Sequence, residues 1–193
     1  MGVSTCSTPL VVASPELKAQ AAAALDHFQA GQLNEALALA RSIAASDPQL
    51  PGALQAEMLH LEAACLHQLE QSEAAIPLVR RAIGLEPANA SYLNTYGVIL
   101  RKLKRTDEAI RSYERVMALL PDFADVYYNC GNALNELDRK EEAVARFERC
   151  LQLNPGHASA HHNVANCLRD LKRLDEAISH YSRSAELQFD NPD

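Results

Sequence analysis

The chain has 193 residues, of which 48% are hydrophobic and 22% charged, and this composition excludes a disordered or collagen-like chain. Its net charge of −7 divides into 4 basic against 9 acidic residues over 1–89 (−5) and 14 against 16 over 90–193 (−2). Phosphate binding needs clustered Lys and Arg, so we expect no nucleic-acid partner.

The remaining composition bears on the cellular compartment. A segment without a charge runs from the N-terminus to Pro15, and it is too short and too polar for a membrane span. Five cysteines, an odd number with no C-x-x-C pair, indicate free thiols in a reducing compartment. We therefore expect a cytoplasmic protein with no membrane partner.

In chain order, a disordered segment is expected over residues 1–14, with Ser14 capping the first helix and Pro15 opening it. A repeat domain then covers 15–189, and residues 190–193 form a tail. The expected repeats are about 17–50, 56–89, 90–123, 124–157 and 158–189.

These repeats rest on a period of 34 residues, which is the mark of a repeat architecture. The residues that recur at this spacing are Gly97 and Gly131; Leu100, Leu134 and Leu168; Ala75, Ala109, Ala143 and Ala177; and Pro87, Pro121 and Pro155. Pro48 and Pro87 are 39 residues apart, so we expect five inserted residues around Leu50-Pro51-Gly52.

Each repeat is predicted to be a helical hairpin. In residues 90–123 the apolar residues fall at helical spacing on both sides of a polar break at 104–106. Acidic residues follow the break, as in Asp107-Glu108, where they complement the positive end of a helix dipole. Pro121 and Pro155 are expected to end the second helices.

The pattern resembles the tetratricopeptide repeat (TPR) family, above all bacterial TPR proteins and the TPR arms of O-linked N-acetylglucosamine transferases. The matching residues are the small Gly97, Gly131, Ala165 and Ala63 of the first helices, the Ala and Pro named above, and the aromatic Tyr113, Phe147 and Tyr181 of the second helices. The resemblance implies an all-α, right-handed superhelical solenoid of about four hairpins, held together by stacking.

No catalytic or nucleotide-binding motif is present, so we expect neither enzyme activity nor a cofactor. His157, His161 and His162 could be metal ligands, but His161 takes the packing position of Leu93 and Tyr127, and we expect no metal. The cysteines of the helical pattern are expected to be small core residues: Cys65, Cys130, Cys150 and Cys167.

The inner face of the first helices carries the candidate binding residues. Asn129 and Asn163 are 34 residues apart, as are Asn132 and Asn166, so two rows of amides are expected along a concave groove. An amide offers the donor and the acceptor that an extended peptide backbone needs. The predicted peptide-binding residues are Asn94, Thr95, Tyr128, Asn129, Asn132, His162, Asn163 and Asn166.

TPR domains of two kinds offer a comparison for this face. Domains that grip the C-terminal carboxylate of chaperones place Lys and Arg where this chain has Asn94, Tyr128, Ser159 and Asn163, so that clamp is disfavoured. The transferase arms hold a peptide backbone with a ladder of Asn residues, which Asn129 and Asn163 resemble. The ladder is therefore the nearer match.

A second surface is basic and lies near the turn inside each hairpin. Its residues are Arg101, Lys102, Lys104, Arg105, Arg139, Lys140, Arg169, Lys172 and Arg173. A solvated edge whose cations pair with the following Asp and Glu is the favoured interpretation, and binding of an acidic partner segment is the alternative.

The favoured hypothesis is a non-enzymatic scaffold or adaptor, a monomer or weak homodimer, that binds an extended segment of a partner protein. The rival is a substrate-recruiting arm of a larger glycosyltransferase-like or sulfotransferase-like enzyme, whose catalytic domain is outside this chain. A secretion or pilus-assembly chaperone is a third possibility. The reading frame beyond Asp193 would separate the adaptor from the arm.

Overall fold

A computed structural model describes residues 14–46 and 50–189, without the side chain of residue 189. The segment expected to be disordered, apart from Ser14, and the expected tail lie outside these residues, as do Cys6 and Pro48. The described residues form helices and no strand. The helices are α1 (Pro15–Gln29), α2 (Leu33–Ser46), α3 (Gly52–Gln68), α4 (Ser72–Leu85), α5 (Ala90–Lys102), α6 (Thr106–Leu119), α7 (Ala124–Glu136), α8 (Lys140–Leu153), α9 (Ala158–Asp170) and α10 (Leu174–Phe189).

Consecutive helices pair into hairpins. The described residues hold five hairpins, where about four were expected. The first hairpin begins as predicted: the Ser14 hydroxyl accepts a hydrogen bond from the Leu17 amide at 3.2 Å, and Pro15 opens α1. The second helices α6 and α8 end at Leu119 and Leu153, two residues before Pro121 and Pro155.

The inserted residues lengthen a helix as well as a loop. α3 has 17 residues, whereas α5, α7 and α9 have 13 each. Pro51 precedes α3 with φ −52° and ψ 134°, and Gly52 opens the helix. The extra turn therefore lies at the N-terminal end of α3.

A left-handed residue closes the turn inside four of the hairpins. These residues are Glu70, Lys104, Asp138 and Lys172, with φ between 60° and 65°. They are 34 residues apart, and none is Gly, although a side chain in this conformation costs about 1 kcal/mol. Gly31, with φ 74°, has the same conformation in the first hairpin.

The chain divides into two compact units, one ending at Pro87 and the other beginning at Ala88. In the first unit α1, α2, α3 and α4 pack in succession, and α1 also contacts α3. In the second unit α5 to α10 pack in succession, and the first helices α5, α7 and α9 also contact one another in that order. This arrangement brings the predicted binding residues of α5, α7 and α9 onto neighbouring helices.

Small residues in the first helices make room for the rings of the second helices. A Cβ built on Gly97 would lie 2.5 Å from Cε1 of Tyr113, and one on Gly131 would lie 2.6 Å from Cε1 of Phe147. Both rings are completely buried. The predicted pairing of a small residue with an aromatic ring is therefore confirmed at these two crossings.

The last hairpin departs from this arrangement. Ala165 stands at the position of Gly97 and Gly131, and its own Cβ takes up space that the buried rings need. The ring of Tyr181, which is equivalent to Tyr113 and Phe147, is only half-buried. The Ala165 methyl group takes the place that the ring would need, and among the described residues no following helix packs on α10 as α7 and α9 pack on α6 and α8.

The four cysteines of the described helices are buried and unpaired, as expected from their apolar positions. Burial raises the pKa of the Cys65, Cys130 and Cys150 thiols to about 11. It also raises the pKa of Cys167. These thiols are protonated at neutral pH and act as small apolar core groups.

Candidate functional site

The predicted binding residues form one surface of the second unit, which we call the amide face. Asn94 and Thr95 lie on α5; Tyr128, Asn129 and Asn132 on α7; and His162, Asn163 and Asn166 on α9. His162 is exposed, and the other seven are half-buried. None is Asp, Glu, Lys or Arg, so the face is polar without formal charge.

One hydrogen bond of the amide face joins α5 to α7. Asn129 Nδ2 donates to Asn94 Oδ1 at 3.1 Å. A salt bridge between Arg101 Nη1 and Glu136 Oε1, 2.7 Å long, joins the same two helices nearer their C-terminal ends. The amide groups of Asn94 and Asn129 are therefore held in fixed positions relative to each other.

Between α7 and α9 the hydrogen bonding changes. Tyr128 stands 34 residues after Asn94, and Asn163 Nδ2 lies 3.5 Å from the Tyr128 hydroxyl but only 2.7 Å from Asn132 Oδ1. A phenol thus replaces the amide acceptor, and Asn163 donates its short hydrogen bond to Asn132 instead. The two amide rows expected to run in parallel are cross-linked here.

Tyr181, which is not among the residues predicted to bind the peptide, extends the amide face. Its hydroxyl donates to Asn166 Oδ1 at 2.7 Å, and its ring meets the His162 ring edge-on with centroids 5.7 Å apart. Arg169 Nη1 lies 3.4 Å from the same hydroxyl. The signal in the sequence is Ala165 in place of Gly, which predicts that the ring of this repeat cannot pack as Tyr113 and Phe147 do.

Each amide of the face keeps polar atoms that the described part of the chain does not satisfy. Asn94 and Asn132 each accept a hydrogen bond and leave Nδ2 without one, whereas Asn129 and Asn163 each donate and leave Oδ1 without one. Asn166 also leaves its Nδ2 without a partner among the described residues. The face therefore presents both donors and acceptors at partly exposed positions.

Aromatic groups lie beside these amides on α7. The Tyr128 ring is 4.6 Å from the His157 ring and 5.9 Å from the Phe147 ring, measured between centroids. His157 precedes α9, and its Nδ1 accepts a hydrogen bond from the Ala160 amide at 3.1 Å. His157 thus has a structural role as the cap of α9.

The basic surface near the turns inside the hairpins, which we call the basic edge, is largely neutralised by neighbouring carboxylates. The three guanidinium groups that precede α6, α8 and α10 each donate two hydrogen bonds to a Glu three residues later: Arg105 to Glu108, Arg139 to Glu142, and Arg173 to Glu176. Lys140 lies 3.4 Å from Asp170, and Arg169 lies 3.0 Å from the same side chain. This pairing supports the favoured interpretation of a solvated edge.

The three histidines considered as metal ligands do not come together. His157 caps α9, His162 contacts Tyr181, and His161 pairs with His180 of α10. The described residues hold no cluster of three or more His, Cys, Asp or Glu that could bind a metal ion. Among the same residues, no helix combines the length and the apolar character needed to cross a membrane.

Sequence profiles of the TPR family match most of the second unit and part of the first. A profile described as "TPR repeat" matches residues 97–138. One profile described as "Tetratricopeptide repeat" matches residues 141–193, and another with the same description matches 56–89 and 124–157. The chain is built from tetratricopeptide repeats. The expected likeness to transferase arms in particular is not among these findings.

Solved structures show the same all-helical TPR solenoid fold. MamA from Desulfovibrio magneticus RS-1 (residues 41 to the end) superposes with a TM-score of 0.79 at 19% identity, covering 94% of this chain and all of that one. PilF from Pseudomonas aeruginosa superposes with a TM-score of 0.78 at 24% identity, covering 88% of this chain and 75% of that one. No curated protein matches the sequence. At these identities the likeness establishes the fold.

Proposed function

We propose that this TPR protein is a non-catalytic cytoplasmic scaffold that binds an extended peptide segment of a partner protein along the amide face. The observation that carries the proposal is the ladder of hydrogen bonds from Asn129 to Asn94, from Asn163 to Asn132 and from Tyr181 to Asn166. The ladder fixes the amides in position, so a peptide loses less entropy on binding than it would against free side chains.

An extended peptide backbone can form hydrogen bonds with the amide atoms that the ladder leaves without a partner. An extended segment presents N–H and C=O groups in alternation, and the amide face offers Oδ1 acceptors at Asn129 and Asn163 and Nδ2 donors at Asn94, Asn132 and Asn166. Tyr128 and Tyr181 add apolar contact area for the side chains of the ligand. We infer that the ligand is recognised mainly through its backbone.

The test uses short random peptides displayed on phage and selected on the wild-type protein. Asn129→Ala with Asn163→Ala removes two acceptors, and losing each desolvated hydrogen bond costs about 1–3 kcal/mol, so affinity should fall by at least about tenfold. The matched control is Asn34→Ala, since Asn34 is exposed on α2 and outside the amide face. Undiminished binding by the double variant would refute the assignment of the face.

Two further measurements, the free energy of unfolding and the salt dependence of binding, complete the experiment. The double variant also loses ladder bonds, so its free energy of unfolding should fall by about 1 kcal/mol per bond, and affinity is measured where both proteins are folded. Binding to the neutral amide face should change little with ionic strength, whereas an acidic segment on the basic edge would bind more weakly as salt rises. A steep dependence on salt would favour the edge.

A recruiting arm of a larger transferase is the second candidate, and the amides at 129 and 163 favour it because they recur at the repeat spacing. It predicts a transferase domain in the same polypeptide, which the reading frame of the gene would reveal.

We propose a monomer or weak homodimer, since Leu174 and Ile178 of α10 are 55% and 62% exposed and offer only a narrow apolar contact. The unpaired thiols are consistent with a cytoplasmic location.

A further inference from the structure

Two histidines of the last hairpin face each other outside the amide face. Nδ1 of His161, on α9, lies 3.0 Å from Nδ1 of His180, on α10. The ring centroids are 5.1 Å apart, and the ring planes are inclined by 41°. Both side chains are half-buried, so the pair is open to solvent on one side.

The second ring nitrogen of His161 is already engaged. Nε2 lies 3.3 Å from the Pro155 carbonyl oxygen and donates to it. The equivalent residue one repeat earlier, Tyr127, makes the same contact, because its hydroxyl donates to the Pro121 carbonyl at 3.0 Å. This contact places the proton of neutral His161 on Nε2 and leaves a lone pair on Nδ1, directed towards His180.

We propose that His161 and His180 bind a divalent transition-metal ion such as Zn²⁺ through their two Nδ1 atoms, with water completing the coordination. Metal–imidazole bonds are about 2.0–2.1 Å long, so two nitrogens on one ion lie about 2.9–3.4 Å apart for angles between 90° and the tetrahedral value. The observed 3.0 Å falls within this range.

The surroundings of the pair suit a metal ligand in two respects. A ligating histidine commonly donates its other ring N–H to a carbonyl or a carboxylate, which is what His161 does with Pro155. Desolvation lowers the pKa of both His161 and His180. His180 needs only to carry its proton on Nε2 to offer Nδ1 to the ion.

Charges on α8 and α10 act on the pair. Glu148 of α8 and Glu176 of α10 place negative charge near His180, which favours a cation there. Arg183 of α10 places positive charge near His161, which disfavours a cation there. With two protein ligands and solvent at the other positions, the site is expected to be weak and exchangeable, with the imidazole preference for Zn²⁺, Ni²⁺ and Cu²⁺.

A bound ion would cross-link α9 to α10 and so stabilise the hairpin that carries Asn163, Asn166 and Tyr181. This consequence does not depend on the function of the amide face. It gives the proposal a readout in stability, because a ligand that binds only the folded state raises the unfolding temperature.

The sibling repeats supply variants that should fold. His161→Tyr introduces the residue found at Tyr127 and retains a donor for the Pro155 carbonyl, and His180→Arg introduces the residue found at Arg146. The matched control is His27→Gln, which removes a half-buried histidine of α1, outside both the pair and the amide face. The protein is prepared without an affinity tag and treated with chelator.

Zn²⁺ alone is then titrated by calorimetry and in thermal unfolding. Wild type and His27→Gln should bind Zn²⁺ and unfold at a higher temperature with it, whereas His161→Tyr and His180→Arg should lose about tenfold or more in affinity and most of the shift in unfolding temperature. Absence of Zn²⁺ binding by the wild type, or equal binding by the two paired-histidine variants, would overturn the proposal. Either result would leave the pair as a hydrogen bond between two neutral rings.

Discussion

Replacing Gly131 by Ala tests the packing that holds the hairpins of the second unit together. The new Cβ would lie 2.6 Å from Cε1 and 2.7 Å from Cδ1 of Phe147, well inside ordinary van der Waals contact. The Phe147 ring is completely buried, so it has no free space into which to move. The substitution must therefore shift the ring or separate α7 from α8.

Two opposing effects set the magnitude. Overpacking a buried site costs about 1–3 kcal/mol, and a ring displaced towards solvent also gives up part of its burial energy. Ala has a better helix propensity than Gly by about 1 kcal/mol, which offsets part of the cost. We expect Gly131→Ala to lower the free energy of unfolding by about 1–2 kcal/mol.

The matched control is Gly84→Ala on α4. Gly84 is exposed and has no atom within 4 Å of its would-be Cβ, so only the helix propensity acts there. Near the end of a helix this should stabilise the protein by up to about 1 kcal/mol. Urea unfolding followed by circular dichroism measures both changes. If both substitutions stabilise the protein alike, the reasoning about the crossing is wrong.

Two further predictions concern titratable groups. With the described cysteines buried and their pKa raised, a thiol reagent added to the folded protein should react slowly with all four and fast only with Cys6, whereas five thiols should react after denaturation; several fast thiols would contradict the core placement. Burial lowers the pKa of His60 from 6.5 to about 4, so the unfolded state binds the proton first, and stability should fall by up to about 3 kcal/mol as the pH drops from 6.5 to 4. Urea unfolding at both ends of this window should show a smaller difference for His60→Gln, and an unchanged difference would exclude His60 as the cause.

The repeat architecture could be predicted because each local signal agreed with the period. Ser14 and Pro15 opened the first helix as expected, and the prolines at 121 and 155 followed the second helices. Gly97 and Gly131 predicted the close crossings, because only a residue without Cβ admits the ring opposite. These features depend on neighbours whose distance in sequence is fixed by the repeat.

The side-chain partners of the amide face could not be predicted in the same way. The 34-residue spacing treats Asn129 and Asn163 as equivalent, but their partners differ because Tyr128 replaces Asn94 as the neighbouring acceptor. The pairing of His161 with His180 also depends on ring directions across a hairpin. A period in the sequence fixes which helices meet, whereas the hydrogen bonds depend on the residues that break the period.

Ala165 shows how such a departure can produce a surface. In the two preceding hairpins the aromatic ring of the second helix is buried where the two helices cross, because glycine leaves room for it. With a methyl group at 165, the equivalent ring of Tyr181 is half-buried, and its hydroxyl bonds to Asn166 beside the ring of His162. The methyl group at 165 and the lack of a further helix on α10 among the described residues together leave this aromatic residue at the amide face. This exposure is the reason that we place the aromatic end of the peptide site at the last hairpin.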